Sequence, residues 1–332
     1  MNDAPARVLD ALRRAGDEPC SGASLSSDLG VSRAQVWKHV EGLRARGYAI
    51  EGERGDGYRL RKAPDRLYPE ELHHGLETQW LAKTIHHFEE VDSTNRVALE
   101  LAREGAAHGT AVVAEGQTAG RGRLGRSFFS PPHQNVYTSI VLRPRLTTAE
   151  APTLILAAAV AVAETVADEV GEPDRIEIKW PNDVLIDERK TSGILVELGV
   201  EATRVAFCVL GIGVNLNVDP ATFPDEFRAR ATSVSACCER RVDRAAFTRR
   251  LYTRLEEVFD LHAREGFAGV RPRFDALFRM QGARVRVQDL DGARTEGRVD
   301  GVDPDGALRL SRNGGSERVL AGDVTVVKED PA

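Results

Sequence analysis

The run Gly120-Arg121-Gly122-Arg123-Leu124-Gly125-Arg126-Ser127 sets three arginines between glycines, and no other stretch of the 332 residues suggests chemistry so directly. Glycine lets a backbone approach a ligand closely, and the arginine fork matches carboxylate or phosphate oxygens two at a time. The run satisfies Gly-x-Gly-x-x-Gly, yet a dinucleotide fingerprint should open a helix directly after its glycines. Here Ser127-Phe128-Phe129-Ser130-Pro131-Pro132 follows, extended and then broken by proline. Walker A spacing is also present, but Arg126 stands where lysine is required, and again no helix follows. What remains is a loop able to close over an anionic substrate and stabilise charge developing on a phosphoryl group. A merely solvated basic loop would explain the charge but not its alternation with glycine.

Three further stretches carry polar groups at the ends of strands. Asp92-Ser93-Thr94-Asn95 follows the strand-like Ile85–Val91, and its plain reading is a helix cap, Ser93 or Thr94 preceding a helix over Asn95–Arg103. Lys179-Trp180-Pro181-Asn182-Asp183 ends one strand, and Arg189-Lys190-Thr191-Ser192-Gly193-Ile194-Leu195-Val196-Glu197 begins the next. A lone lysine in such a hairpin is ordinarily a solvated charge. Gly211-Ile212-Gly213-Val214-Asn215-Leu216-Asn217 closes another strand. His86 and His87 are neighbours, but adjacent strand residues face opposite ways, so both are read as structural.

The elements that must position these groups separate into three segments, with expected domains at 1–62, 66–275 and 280–329 and a linker at Arg61–Asp65. In the middle segment, β-rich runs occur at Thr110–Ala114, Asn135–Leu142, Ile176–Trp180, Ile194–Leu198 and Val205–Gly211, with a strong helix at Ala149–Val170. Short turns as well as helices join them, which predicts a mixed sheet in an α+β multidomain chain. From Ala283 onward, short alternating runs between Asp-Gly and Asn-Gly turns read as a small β-barrel.

The first segment reads as a winged helix-turn-helix. Helices are expected at Pro5–Ala15 and Gly22–Leu29, and Ser32 with Gln35 three residues on marks the start of a third. Val36, Val40 and Leu43 form its buried stripe, and Arg33, Gln35, Lys38, Arg44 and Arg46 face away. Tyr48–Ile50 and Tyr58–Arg61 are the expected wing. Ser32, Arg33, Gln35, Lys38, Arg44 and Arg54, in and around a helix-turn-helix from Gly22 to Glu41, are the candidate DNA contacts. A small module of little net charge would need to dimerise for useful specific affinity.

The net charge of -6 gives no global nucleic-acid signature, so DNA contact must be local. Cys20, Cys208, Cys237 and Cys238 lack zinc-ligand spacing, which favours a reduced setting. There is no apolar signal core at the start and no apolar run of membrane-spanning length, so a cytoplasmic protein is expected.

Taken in order, Asp-Ser-Thr-Asn, Gln-x-Ala-Gly-Arg-Gly-Arg-x-Gly-Arg, Lys-Trp-Pro-Asn-Asp, Arg-Lys-x-x-Gly-Ile-Leu-Val-Glu and Gly-x-Gly-x-Asn closely resemble the biotin–protein ligase family. With the winged helix in front, the chain is similar to the bifunctional class that also represses biotin-synthesis genes. The resemblance implies a catalytic domain of the class II synthetase/biotin ligase type and a C-terminal SH3-like barrel. It implies ATP with Mg2+, biotin as substrate, and biotinyl-5'-AMP as intermediate and corepressor. The magnesium ligands stay unassigned. The implied partners are a biotin carboxyl carrier protein, operator DNA and a second copy of the chain in an adenylate-promoted homodimer.

By that resemblance, Ser93, Thr94, Asn95, Gln117, Gly120 and Gly193 belong to the biotin site, with Arg121, Gly122 and Arg123 around its carboxylate and the adenylate phosphate. Lys190 bridges the carboxylate and the ATP α-phosphate, and Asn215 lies near the nucleotide. Lys190, Arg123 and Asp183 are the candidate catalytic residues, Asp183 as the group that orients or deprotonates the acceptor amine. Some repressor-type members close an aromatic over the adenine, but none lies between Phe227 and Phe247 here. Two rival readings stay open: a ligand-sensing transcription factor without ligase activity, and a lipoate or octanoate ligase.

Overall fold

Ser32 accepts a hydrogen bond from the Gln35 backbone N–H at 3.2 Å, and the helix it caps is the third of a tight trio. The computed structural model describes residues 4–52, 57–288, 292–312 and 315–327, and the chain divides into two units, Met1–Arg66 and Leu67–Ala332. In the first, α1 (Ala4–Ala15) buries Val8, Leu9 and Leu12, α2 (Gly22–Leu29) buries Leu25, and α3 (Arg33–Ala45) buries Val36, Val40 and Leu43. Gly30, at φ 66°, makes the left-handed turn between α2 and α3, a conformation that glycine adopts without a Cβ penalty. The reciprocal half of the capping box does not form, because the Gln35 side chain meets His39 Nε2 at 3.3 Å instead. Strands β1 (Ala49–Glu51) and β2 (Arg59–Lys62) pair antiparallel, with Ile50 opposite Leu60, and supply the expected wing.

The second unit opens with a short helix, α4 (Pro69–His73), followed by β3 (Ile85–Val91), α5 (Thr94–Arg103), β4 (Ala111–Gln117), β5 (Val136–Leu142) and α6 (Pro152–Val170). Then come β6 (Ile176–Lys179), β7 (Asp183–Ile186), β8 (Arg189–Glu201), β9 (Arg204–Val214), two short helices α7 (Asp225–Arg228) and α8 (Val234–Cys238), and the long α9 (Arg244–Leu277), which breaks at Gly266. Seven strands form one sheet in the order β3-β4-β5-β9-β8-β7-β6. Only β3 and β4 run parallel, and α5 crosses between them; the other pairs are antiparallel, so the sheet is mixed as expected.

Alternation along the strands divides the sheet's two faces. Ile140, Leu210 and Ile212 join the large core with α6 and α9, while Val112, Val141 and Val209 cluster with Ala98 and Ala102 of α5. The helix α6, apolar nearly all round, is accordingly buried along most of its length.

The C-terminal segment is a five-stranded antiparallel sheet in which β10 (Arg284–Gln288), β11 (Arg294–Val302), β12 (Leu308–Arg312) and β13 (Gly315–Val319) form a meander and β14 (Asp323–Val326) returns to β10. It docks on the body built around the seven-stranded sheet through Trp180, whose Nε1 donates to the Gly306 carbonyl at 2.9 Å.

Candidate active site

The turn from β3 into α5 is held by β4. In the parallel register Val91 faces Gln117, and the Thr94 backbone N–H and hydroxyl reach the Gln117 Oε1 at 2.8 and 3.1 Å. Gln117 Nε2 in turn donates to Ser130 Oγ at 3.1 Å, and Ser130 donates to the Phe128 carbonyl at 2.8 Å. On β5, Ser139 donates to Asn95 Oδ1 at 2.6 Å and lies 2.8 Å from Thr94 Oγ1; Asn95 Nδ2 donates to Glu197 Oε2 at 2.9 Å. Ser93 takes the cap position of α5 without a side-chain cap bond, so the plain capping reading does not account for it.

Glycines on β8 and β9 make the floor. Gly193 faces Gly213 in register, and a Cβ at Gly213 would lie 2.6 Å from the Phe128 ring. A Cβ at Gly211 would lie 2.0 Å from Asn95 Oδ1, and one at Gly193 would lie 3.1 Å from Lys190 Nζ. Three missing side chains thus let Phe128, Asn95 and Lys190 settle onto the strands. The cleft above this floor holds about 480 Å³ of space, part of it open to solvent.

Positive charge converges on the cleft from two directions. Within the glycine–arginine loop the Gly122 N–H donates to the Arg126 carbonyl at 2.7 Å, closing a tight turn. Arg123 reaches Asn182 Oδ1 and the Gly322 carbonyl, both at 3.3 Å, and burial pushes its guanidinium below the ordinary arginine range. Arg126 pairs with Asp323 at 2.7 Å. Arg121 lines the cleft, is exposed, and has no ion-pair partner among the described residues. From the other side, Lys190 Nζ lies 2.7 Å from Asp183 Oδ1. The backbone of Lys190 is itself bracketed by residues beyond α7, donating to Arg230 O at 2.8 Å and accepting from Thr232 N at 2.9 Å.

Ser93, Thr94, Asn95, Gln117, Arg121, Gly122, Arg123, Lys190 and Gly193 therefore line one cleft. Gly120 supports the loop from behind, since a Cβ there would meet the Phe128 carbonyl at 2.5 Å. Asn215, just past β9, is buried and outside the lining. Asp183 reaches the cleft through Lys190. Sequence reasoning passed over Phe128, Ser139, Asn182, Glu197 and the glycine pair Gly211 and Gly213 as site residues; only the glycine alternation on β9 offered a signal.

In the N-terminal unit, Arg33, Gln35 and Lys38 lie on α3 with Trp37, which is 47% exposed. Arg44 stands apart from the expectation. Its Nε and Nη2 donate to Ile50 O at 3.0 and 2.8 Å, Nη2 also reaches Gly52 O at 2.7 Å, and Nη1 meets Glu41 at 2.7 Å. That side chain ties α3 to the wing rather than facing outward. Arg54 lies outside the described residues, as do residues 328 and 329 of the expected C-terminal domain.

Residues 87–215 match the model of the biotin/lipoate A/B protein ligase family, residues 7–59 an HTH domain, and residues 282–327 the biotin protein ligase C-terminal domain. A bifunctional ligase/repressor BirA of Bacillus subtilis is 37% identical over 317 residues, which span 96% of this chain and 97% of the relative. The chain belongs to the biotin ligase/repressor family. A BirA of Escherichia coli K12 is 30% identical over 325 residues, 98% of each chain. The solved structure of an Aquifex aeolicus biotin protein ligase in complex with biotin and ATP superposes with a TM-score of 0.64 at 27% identity, covering 74% of this chain and all of that one. In this biotin ligase/repressor chain the ligase match contains the cleft residues from Ser93 to Gly213 and the HTH match contains α2 and α3. Among the described residues no helix is long and apolar enough to cross a membrane.

Proposed function

We propose that the chain condenses biotin with ATP to biotinyl-5'-AMP and transfers the biotinyl group to a lysine of a biotin carboxyl carrier protein. The observation that carries this is the meeting of Arg121, Arg123 and Lys190 with Thr94 and Gln117 in one cleft. Three cations suit a carboxylate approaching a triphosphate, and the hydroxyl–amide end suits a ring bearing N–H and C=O groups. The same polar end is poorly matched to an aliphatic acid, which favours biotin over lipoate or octanoate.

A carboxylate is ionised at neutral pH, so the first step needs no base. It needs two anions held together and negative charge on the α-phosphate offset, which Lys190 and the arginines supply. Magnesium would enter with the ATP phosphates and offset part of their charge. When Lys190 turns to the bound anions it leaves Asp183, whose carboxylate is then free to receive an incoming lysine ammonium. Mass spectrometry after incubation with biotin and ATP tests the reading. Retained biotinyl-adenylate, lost on adding carrier protein, is the expected result, and an unchanged mass with no pyrophosphate release overturns it.

The N-terminal unit supports repression at operator DNA, with the adenylate as corepressor. Lys190 is hydrogen-bonded on both sides to the Arg230–Thr232 segment, so adenylate binding would order that stretch together with the glycine–arginine loop. Both would then favour a homodimer through differential affinity. The return of β14 to β10 fits the SH3-like barrel implied for the C-terminal sheet.

A further inference from the structure

We infer that Trp37 is a sequence-reading residue of the N-terminal unit, its indole packing on thymine C5-methyl groups in the major groove of operator DNA. The inference deepens the reading of this unit as an operator-binding module and rests on it. Trp37 is 47% exposed, whereas Tyr48 and Tyr58 of the same unit are buried, and no other Trp, Tyr or Phe is exposed among the described residues. A single exposed apolar side chain is ordinary on a protein surface, so the face it stands on has to say what covers it.

Helix periodicity sets that face. Val36, Val40 and Leu43 are buried, and the exposed residues of the first two turns of α3 are Arg33, Ala34, Trp37 and Lys38. Side chains three and four residues apart on a helix are neighbours, so these four share one surface. Arg33 and Lys38 have no ion-pair partner among the described residues, which leaves two unpaired cations beside the indole. Their charge complements the phosphates that border a groove. Ala34 is small and lets the helix come close to the bases between them.

The other polar candidates on α3 are already engaged within the unit. Gln35, half-buried, meets His39 Nε2 at 3.3 Å. Arg44 is held by Glu41 and by the carbonyls of Ile50 and Gly52. What α3 presents to the floor of a groove is therefore an apolar plate between two cations. The thymine methyl is the one apolar group that base edges show in the major groove, and the minor groove shows none. A helix of this kind enters with its first turns against the base edges, which is where Trp37 stands.

The full chain, with biotin and ATP present, can select its preferred site from a pool of random-sequence duplexes. Each thymine of the enriched duplex is then replaced by uracil, which removes the methyl and keeps the pairing, and affinity is read by fluorescence anisotropy at one salt concentration. At least one replacement should weaken wild-type binding by about threefold or more, the scale of one buried methyl group. Trp37→Ala should bind the thymine duplex about tenfold more weakly and be indifferent to uracil at that position, while Trp37→Phe should keep the preference. Thermal unfolding reports whether each variant is folded, and Trp37→Gln takes the place of an Ala variant that is not. No thymine sensitive to the replacement, or a penalty that persists in the Ala variant, overturns the inference. A folded Phe variant as indifferent as the Ala variant assigns the contact to the indole N–H and overturns it too. A wild-type chain that enriches no sequence strikes the operator-binding reading itself.

Discussion

The Lys190 ammonium sits 2.7 Å from the Asp183 carboxylate, joined across the antiparallel pairing of β7 and β8. Both side chains are partly exposed, so the pair is a weak structural tie and a good store of two opposite charges beside a cleft. Replacing Asp183 by Asn should slow biotin transfer by about 10²-fold or more, in the range that loss of an acid–base group gives, while adenylation falls much less. Single-turnover measurement of each step decides it, and equal loss in both would remove Asp183 from the transfer step.

Lys190→Ala should depress pyrophosphate release by at least about 10²-fold, the scale of removing one preorganised charge from a transition state. Arginine should restore little, since its planar fork does not replace a point charge in this space. Steady-state pyrophosphate assays at saturating biotin provide the check.

Gly213→Ala should drive a methyl group into Phe128 and raise the biotin KM by about fivefold or more, because overpacking costs roughly 1–3 kcal/mol. The backbone there is ordinary strand, so the cost comes from the ring contact alone, and thermal stability should fall as well. A KM equal to that of the unaltered chain would mean that Phe128 has room to move.

Glu115 is buried with Arg244 at 2.6 Å and accepts from the Leu67 N–H at 2.7 Å, while His87 and His133 stand at 3.2 and 3.3 Å. Burial works against its charge, but His87, Arg244 and Leu67 outweigh it and hold the carboxyl down at about 2, against 4.5 in a free chain. A depressed carboxyl stabilises the fold above the unfolded value and ceases to do so as pH falls through the folded one. Stability should therefore drop between pH 4.5 and about 2. Arg244→Met should cost about 3–5 kcal/mol at neutral pH by leaving the buried carboxylate without its arginine. Urea midpoints across that pH range test both statements.

In the N-terminal unit, Arg44→Ala should lower the melting temperature by freeing α3 from the wing. Lys38→Ala should leave melting unchanged and reduce the salt dependence of DNA binding by about one phosphate contact. Equal behaviour of the two variants in both assays would mean that Arg44 is a DNA contact after all.

Periodicity and caps made the helices and most strands readable. Val36, Val40 and Leu43 recur at helical spacing and are buried, and Ser32 caps as its type suggests. The sequence shows only two shorter runs of the long β8–β9 hairpin, because its turn at Ala202 and Thr203 has no Gly or Asn, although Ala202 takes φ 54°. Arg44 looked like an outward charge because helical spacing cannot show that the wing's carbonyls fold back within its reach. Glu197 and Ser139 are invisible in the sequence for a similar reason: each touches the site through Asn95 at the start of α5, 102 and 44 residues away.

Arg123 on the Gly322 carbonyl and Arg126 on Asp323 fasten the substrate loop to the last two strands' connection and the start of β14. Chain termini are usually the parts most safely trimmed. Here Gly322 and Asp323 act as the far abutment of the glycine–arginine loop, so a fragment ending before Gly322 would keep every cleft-lining side chain and still lose the anchorage of Arg123 and Arg126.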